Sequence, residues 1–329
     1  MVSLKKELQL PKLKLKNRLV MPPMATETSE SGGMVSKNLL RYYDEKSAGG
    51  YIGLIITEHS FILPEGKASK RQLSVASDDT IEGLKQLVDV IHHNNVKAVA
   101  QINHAGGAAN HSITGYDSIA PTAILKNGEL FADCEMTEED IKKVIHGFAA
   151  AAKRVKQAGF DGVEIHSAHG YLLNQFYSPL MNQRRDEYGG ELRNRIRIHL
   201  KVIEAVRDVV GNDYPIFLRL GSIDDTAGGS TVDDAVYAST VFESAGVDVL
   251  DISGGMTGYV RKSRKNEQGY FSDITEAIKK EVDIPVILTG GITEPEAADR
   301  ILAEGKADMT GVGRAILKDS DWAKRAMER

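Results

Sequence analysis

The chain has 329 residues, 42% hydrophobic and 26% charged, with a formal net charge of -5 at pH 7. That is an ordinary balance for a soluble globular chain with a large core, and it argues against a general nucleic-acid or anionic-membrane surface. Cys134 is the only cysteine, which excludes an intrachain disulfide, an iron–sulfur cluster and a cysteine-based zinc site; no apolar run nears the ~20 residues of a membrane helix, residues 1–16 lack a signal-peptide core, and the cytoplasm is the expected compartment.

Short apolar runs alternate with amphipathic stretches along the whole chain. A strand over 19–21 runs into Pro22-Pro-Met-Ala-Thr26, and a second over 52–57 into Glu58-His59. A helix over 80–93 precedes a strand over 98–102 that ends in Asn103-His-Ala-Gly106. The helix over 137–158 opens on Thr137 with Asp140 three residues on, an acidic capping box, and stops at Gly159. The fourth strand, 163–165, ends in His166-Ser-Ala-His-Gly-Tyr171. Next come a helix over 192–210, a strand over 216–220 carrying Arg219, a helix over 231–245 and a strand over 249–252 ending in Ser253-Gly-Gly255. A helix over 272–281, a strand over 286–288 before Thr289-Gly-Gly-Ile292, a helix over 294–303, a strand over 309–312 before Gly313-Arg314, and a helix from Ala315 complete the series.

Eight strands with intervening helices and no linker predict an α/β fold, one (β/α)8 TIM barrel spanning 1–329. In such a barrel, functional side chains belong just beyond the C-terminal strand ends, where the unusual polar and glycine clusters fall. At the fourth strand end, His166, His169 and Tyr171 read as a polar clamp on a ligand, as histidines satisfied by backbone carbonyls, or as half of a metal site that lacks its remaining ligands. Gly290, Gly291, Gly313 and Arg314 match the phosphate site of TIM barrels, unless the glycines only form tight turns.

These residues carry a resemblance to the old yellow enzyme family of FMN-dependent ene-reductases. It runs from Leu15-Lys-Asn-Arg-Leu-Val-Met-Pro-Pro-Met24 through Ala100-Gln-Ile-Asn-His-Ala-Gly106 and the double-histidine segment to Gly311-Val-Gly-Arg314. The most specific string is Ser178-Pro-Leu-Met-Asn-Gln-Arg-Arg-Asp-Glu-Tyr-Gly-Gly190, followed by Asn194-Arg195.

The resemblance implies bound FMN, reduced by NADH or NADPH, and an activated alkene as the small-molecule partner: an enone, enal, maleimide or nitroalkene. It places Pro23, Met24 and Ala25 along the flavin, Gln101 at its pyrimidine edge and Arg219 near N1 and O2, with Gly255, Gly290, Gly291, Gly313 and Arg314 at the phosphate. His166 and His169 would hold the substrate oxygen beside the flavin, and Tyr171 would protonate the α carbon after hydride transfer to the β carbon. Arg184, Asp186, Tyr188 and Arg195 read as structural, Glu58 as a loop anchor, and His104 as either loop packing or pocket wall.

Ala25 stands where the family usually carries threonine or cysteine, so a lower flavin potential follows unless Thr26 substitutes. His59 occupies a position usually small; it either contacts the flavin and partly replaces the donor lost at Ala25, or narrows the pocket. The arginine expected after His104-Ala-Gly is absent. Without the cysteine cluster of larger relatives, electrons are expected to reach FMN directly. Oligomeric state and the choice between NADH and NADPH stay open, as do two other functions: a flavin-binding paralogue with little ene-reductase turnover, and a non-redox barrel lyase or isomerase acting on a phosphorylated ligand.

Overall fold

The computed structural model describes residues 2–126 and 129–329. Eight parallel strands close into a barrel in chain order: β1 Leu19–Met21, β2 Leu54–Phe61, β3 Lys97–Asn103, β4 Gly162–Ser167, β5 Ile216–Gly221, β6 Val249–Ser253, β7 Val286–Thr289 and β8 Met309–Gly311. The outer ring is α1 Lys37–Ser47, α2 Ile81–His93, α3 Glu138–Gln157, α4 Arg197–Val210, α5 Val232–Ser244, α6 Ser272–Lys279 and α7 Pro295–Ala303, then Arg314–Lys318 and Trp322–Glu328. This is the (β/α)8 TIM barrel that the alternation predicts.

Period-two alternation sorts each strand into an outer face under the helices and an inner face. Val20, Leu54, Ile56, Val99, Phe217, Val249, Ile287 and Met309 fill the barrel interior together with Leu10, Leu13 and Leu15. The last three come from a hairpin segment in which Leu8–Gln9 pairs with Lys14–Leu15. Two residues further along several strands, the inward positions turn polar: Gln101, Glu164, Arg219, Asp251 and Thr289. The apolar interior thus forms a floor, and the polar layer above it faces the C-terminal mouth.

Among the departures from the sequence reading, three concern the barrel strands and its main helices. β2 continues to Phe61, so Glu58 and His59 lie within the strand, at a bulge between Thr57 and Ser60. The helix expected over 192–210 breaks at Ile196 into Leu192–Arg195 and α4. α1 went unread, although Ser36 caps it by accepting from the Leu39 amide at 3.0 Å. The expected capping box is present: the Thr137 side chain accepts from Asp140 N at 3.2 Å, while Asp140 Oδ2 accepts from Thr137 N at 2.9 Å.

Buried histidines give the scaffold a pH dependence. Burial pushes His104 down to about 4 and His199, whose Nε2 meets Ser167 Oγ at 2.8 Å, down to about 3. Below about pH 6.5 the unfolded chain binds protons that the native state refuses, so stability present above that pH is lost as it falls toward 4. The stake is ~3 kcal/mol for His104 alone. Urea midpoints should therefore drop steadily between these pH values, and a flat profile would contradict the assignment.

Candidate active site

One cavity of about 710 Å³ opens at the C-terminal mouth of the barrel. Pro23, Met24, Ala25, His59, Gln101, His166, His169, Tyr171, Arg219, Gly290, Gly291, Gly313 and Arg314 all line it. Gly255 does not. A Cβ there would lie 2.4 Å from Asp224 Oδ1 and 2.8 Å from the Ile223 carbonyl, so close packing of the loop after β6 already requires that glycine.

The cavity has two chemically distinct ends. At one, four aromatic rings gather. His166 projects inward from β4, and its ring centroid lies 5.1 Å from His169 and 5.2 Å from Tyr171, both edge-on. His59 stacks on Tyr171 at 5.2 Å with an interplanar angle of 28°. His169 adopts a left-handed backbone, φ 59°, which is uncommon for a side-chain-bearing residue and is found at functional turns. Its amide donates to the Gly254 carbonyl at 3.2 Å, and Asn174 Oδ1 accepts the next amide, of Gly170, at 2.8 Å. Neither contact is visible in the sequence motif.

Electrostatics keep these imidazoles neutral. Burial, then the neighbouring histidines and Arg219, hold His166 well below its ordinary value; burial, then Arg219 and His59, do the same for His169. His59 is lowered to about 4 by burial and Arg219. Ser253 Oγ lies 2.7 Å from His169 Nε2, and His166 Nδ1 is buried without a partner, so the two rings offer His169 Nδ1 and His166 Nε2 to a ligand. Burial, reinforced by Glu27, raises the Tyr171 phenol, so it keeps its proton at neutral pH.

Beneath the rings lies a buried charged layer. Gln101 Nε2 donates to Glu164 Oε1 at 2.8 Å, and Thr289 Oγ1 donates to Asp251 Oδ1 at 2.9 Å. Arg219 Nε sits 3.3 Å from Asp251 Oδ2, an ion pair without hydrogen-bond alignment that leaves both atoms unpartnered. Burial and the Asp251 charge push Glu164 well up, against Arg219 and Gln101; burial likewise raises Asp251 against Arg219 and Thr289.

At the other end, the loops after β7 and β8 present backbone. Gly291 has φ 71°, and a Cβ on Gly313 would come within 2.8 Å of the Met24 sulfur. Arg314 stands over the Tyr259 ring at 6.0 Å, with Nη2 3.3 Å from the Tyr270 hydroxyl. Ser253, Tyr259, Tyr270, Thr293, Leu317 and Lys318 also line the cavity and were missed from the sequence. Lys318 had a signal, since it follows Arg314 by four residues on one helix.

The remaining candidates resolve locally. Thr26 Oγ1 bonds Glu58 Oε2 at 2.7 Å and Thr28 Oγ1 at 2.8 Å; it does not line the cavity, so it does not replace a donor at Ala25. Those bonds make Glu58 a loop anchor. His104 is packed under Gly66, with Nδ1 accepting from Gly106 N at 3.0 Å, and is not pocket wall. Arg184 ties Pro121 and Met136 carbonyls to Asp186, and Arg195 holds the Tyr177 carbonyl at 2.8 Å. Among the described residues no acidic, histidine or cysteine cluster could hold a metal ion, and no helix is long and apolar enough to cross a membrane.

Residues 4–329 match the model of the NADH:flavin oxidoreductase / NADH oxidase family. The chain belongs to that family. It is 40% identical over 322 residues to an NADH oxidase of Thermoanaerobacter brockii, covering 96% of this chain but only 49% of that protein. It is 39% identical over 307 residues to an NADPH dehydrogenase of Clostridium acetobutylicum, covering 93% of this chain and 88% of the relative. An old yellow enzyme homologue from Zymomonas mobilis superposes over 99% of this chain and 92% of its own, with a TM-score of 0.85 at 24% identity, a likeness of fold. FMN is the family's cofactor and NADH or NADPH its reductant. The cavity fits FMN on its own chemistry: its volume lies within the roughly 300–1,000 Å³ usual for cofactor sites, one end offers open backbone with an arginine, and the other a donor-rich polar edge at Gln101 and Arg219.

Proposed function

We propose that this chain is an FMN-dependent NAD(P)H oxidoreductase that reduces activated C=C bonds of enones, enals, maleimides or nitroalkenes. The observation that carries the reading is the joining of a neutral imidazole pair and a protonated phenol to a glycine–arginine anion end in one cavity. The chemistry that FMN supplies when bound is hydride carriage from NADH or NADPH to the alkene's β carbon.

The protein's own part is binding, polarisation and proton delivery. Backbone amides near Gly290, Gly291 and Gly313, with Arg314, would hold the phosphate. His166 and His169 would donate to the carbonyl or nitro oxygen, stabilising negative charge there without surrendering a proton, because burial keeps them neutral donors. Tyr171 would deliver the proton to the α carbon, regained from solvent, so that hydride and proton together saturate the double bond. Arg219 would place positive charge beside the electron-rich reduced ring, with Asp251 balancing it when the ring is oxidised.

Anaerobic titration of the FMN-loaded protein with NADH and with NADPH, then reoxidation by cyclohexenone, tests the whole reading. Bleaching by either donor and recovery with the enone are expected; a protein that takes up no FMN, or stays yellow with both donors, would sink it. Variants should divide the site. Arg314→Ala is expected to weaken FMN binding roughly 10- to 100-fold, from a charge-assisted contact of about 1.5–3 kcal/mol. His166→Ala and His169→Ala should each weaken phenol or cyclohexenone binding roughly fivefold, the worth of a hydrogen bond near 1 kcal/mol, while retaining FMN. Equal FMN loss in all three variants would contradict that division.

A further inference from the structure

The proposed reaction leaves His59 without a task, yet the structure builds around it with unusual care for one ring atom. Period two along β2, with Leu54 and Ile56 inward, would turn residue 58 into the barrel and residue 59 out of it. The bulge between Thr57 and Ser60 reverses that alternation, and His59 lines the cavity. Tyr43, buried on α1, supports the bulge by accepting the Glu58 amide at its hydroxyl, 2.8 Å away.

Two side-chain amides converge on His59 Nδ1, Gln72 Nε2 at 3.0 Å and Asn103 Nδ2 at 3.2 Å. The orientation of Gln72 is set independently. Its Oε1 accepts the Ala68 amide at 2.6 Å, and its Nε2 also donates to the His59 carbonyl at 3.1 Å. A ring nitrogen facing the Gln72 N–H, whose orientation the Ala68 amide fixes, must be the acceptor, which leaves the proton on Nε2. Both amides are buried, so water does not compete for the bond.

The neighbours of that N–H identify what it would meet. Met21 and Ile55 are register partners on β1 and β2, and Ala25 and His59 follow them by four residues each. On its other side, β2 pairs with β3, which carries Gln101. Around the mouth the order is therefore Ala25, His59, Gln101, then Arg219 beyond β4. The pyrimidine edge of a flavin presents carbonyl, N–H and carbonyl in sequence. An amide such as Gln101, with both a donor and an acceptor, suits the central N–H and an adjoining oxygen; Arg219 has donors only, for the acceptors on its side. The carbonyl left over, C4, lies toward His59 and Ala25, and alanine has no side-chain donor.

We propose that Gln72 and Asn103 fix His59 as the Nε2–H tautomer and that this N–H donates to the C4 carbonyl of FMN, supplying the donor that Ala25 lacks. The inference rests on the proposed reading that FMN lies with its pyrimidine ring at Gln101 and Arg219. His59 is then a cofactor-contacting donor, and Gln72 and Asn103 are positioning residues that act through it. A donor at that oxygen favours the electron-rich reduced flavin. It raises the midpoint potential above what Ala25 alone would allow.

Two measurements separate the parts. In histidine-¹⁵N-labelled protein without flavin, NMR should give His59 a pyridine-like Nδ1 and a pyrrole-like Nε2. Gln72→Glu should exchange them, because a carboxylate accepts from Nδ1–H. An unlocked or opposite tautomer in the unsubstituted protein overturns the lock, whatever the protein does with FMN. In the FMN-loaded protein, His59→Ala and Gln72→Glu should move the C4 carbonyl stretch to higher frequency in Raman spectra and lower the midpoint potential. His59→Gln, which keeps an N–H, should restore part of both shifts. Wild-type band and potential in His59→Ala and Gln72→Glu, with loss confined to phenol or cyclohexenone binding, would make His59 a substrate contact and overturn the flavin half. Failure to bind any FMN would instead overturn the functional reading on which that half rests, while the NMR result on the tautomer stands.

Discussion

Tyr171→Phe is expected to slow reoxidation of the reduced enzyme by cyclohexenone by ~10²–10⁴-fold, the range for a positioned general acid. Reduction by NADPH should stay within about twofold, because hydride delivery from the nicotinamide needs no proton from this group. The substitution isolates one atom. Tyr171 is stacked on His59 and edge-on to His166, contacts that a phenylalanine ring retains, so the clamp is not rebuilt by the change. Burial and Glu27 raise the phenol, which keeps the proton available throughout the neutral range. Stopped-flow traces of the two half reactions, each in H₂O and D₂O, check the assignment. A slowing of less than about tenfold, with the solvent isotope effect unaltered, would remove Tyr171 from proton delivery and point to water.

Arg219→Met carries the second large effect, and here the readout is stability. Removing one partner of a buried ion pair leaves the other uncompensated, which typically costs about 3–5 kcal/mol. Asp251 is fully buried, and its remaining bond, from Thr289 Oγ1, does not neutralise it. Glu164 stands in the same layer, where burial and the Asp251 charge already push it well up, so it supplies no compensating cation. The sign of the pH dependence follows. Without the guanidinium, Asp251 is raised further above its unfolded value, so the variant keeps its stability at acid pH and loses it as pH rises through the folded pKa. Urea unfolding should show the deficit growing from acid to neutral pH. Adding Asp251→Asn should recover much of it, and a lone Arg219→Met that unfolds like the parent at neutral pH would contradict the pairing.

Individual misreadings in the sequence have physical causes. The sequence pattern ends the second strand at Thr57 because Glu58 and His59 are polar, and a bulge is an insertion in pairing that no single-strand pattern displays. α1 gives a weak sequence signal because, of its buried positions Leu39, Tyr43, Lys46 and Ser47, the last two are polar. The helix over 192–210 has continuous amphipathic character, and its break at Ile196 is a backbone turn that its side chains do not announce. The close packing that requires Gly255 is against Asp224, thirty-one positions earlier in the chain, which no local motif displays.

Local periodicity and residue type carry a large share of this protein in the amino-acid order alone. The strand–helix alternation, the barrel, the polar clusters at strand ends and the glycine–arginine end are all written in runs of a few residues. How side chains from different strands condition one another is settled only when the barrel closes. That His166 and His169 are neutral follows from burial and from Arg219 on the next strand; that Thr26 bonds away from Ala25 follows from Glu58. The proton position on His59 is set by Gln72 and Asn103, residues that no motif joins to it. Periodicity is a property of neighbours along the chain, whereas desolvation and hydrogen-bond partnership are properties of neighbours in space, and the closure of the barrel makes the second set.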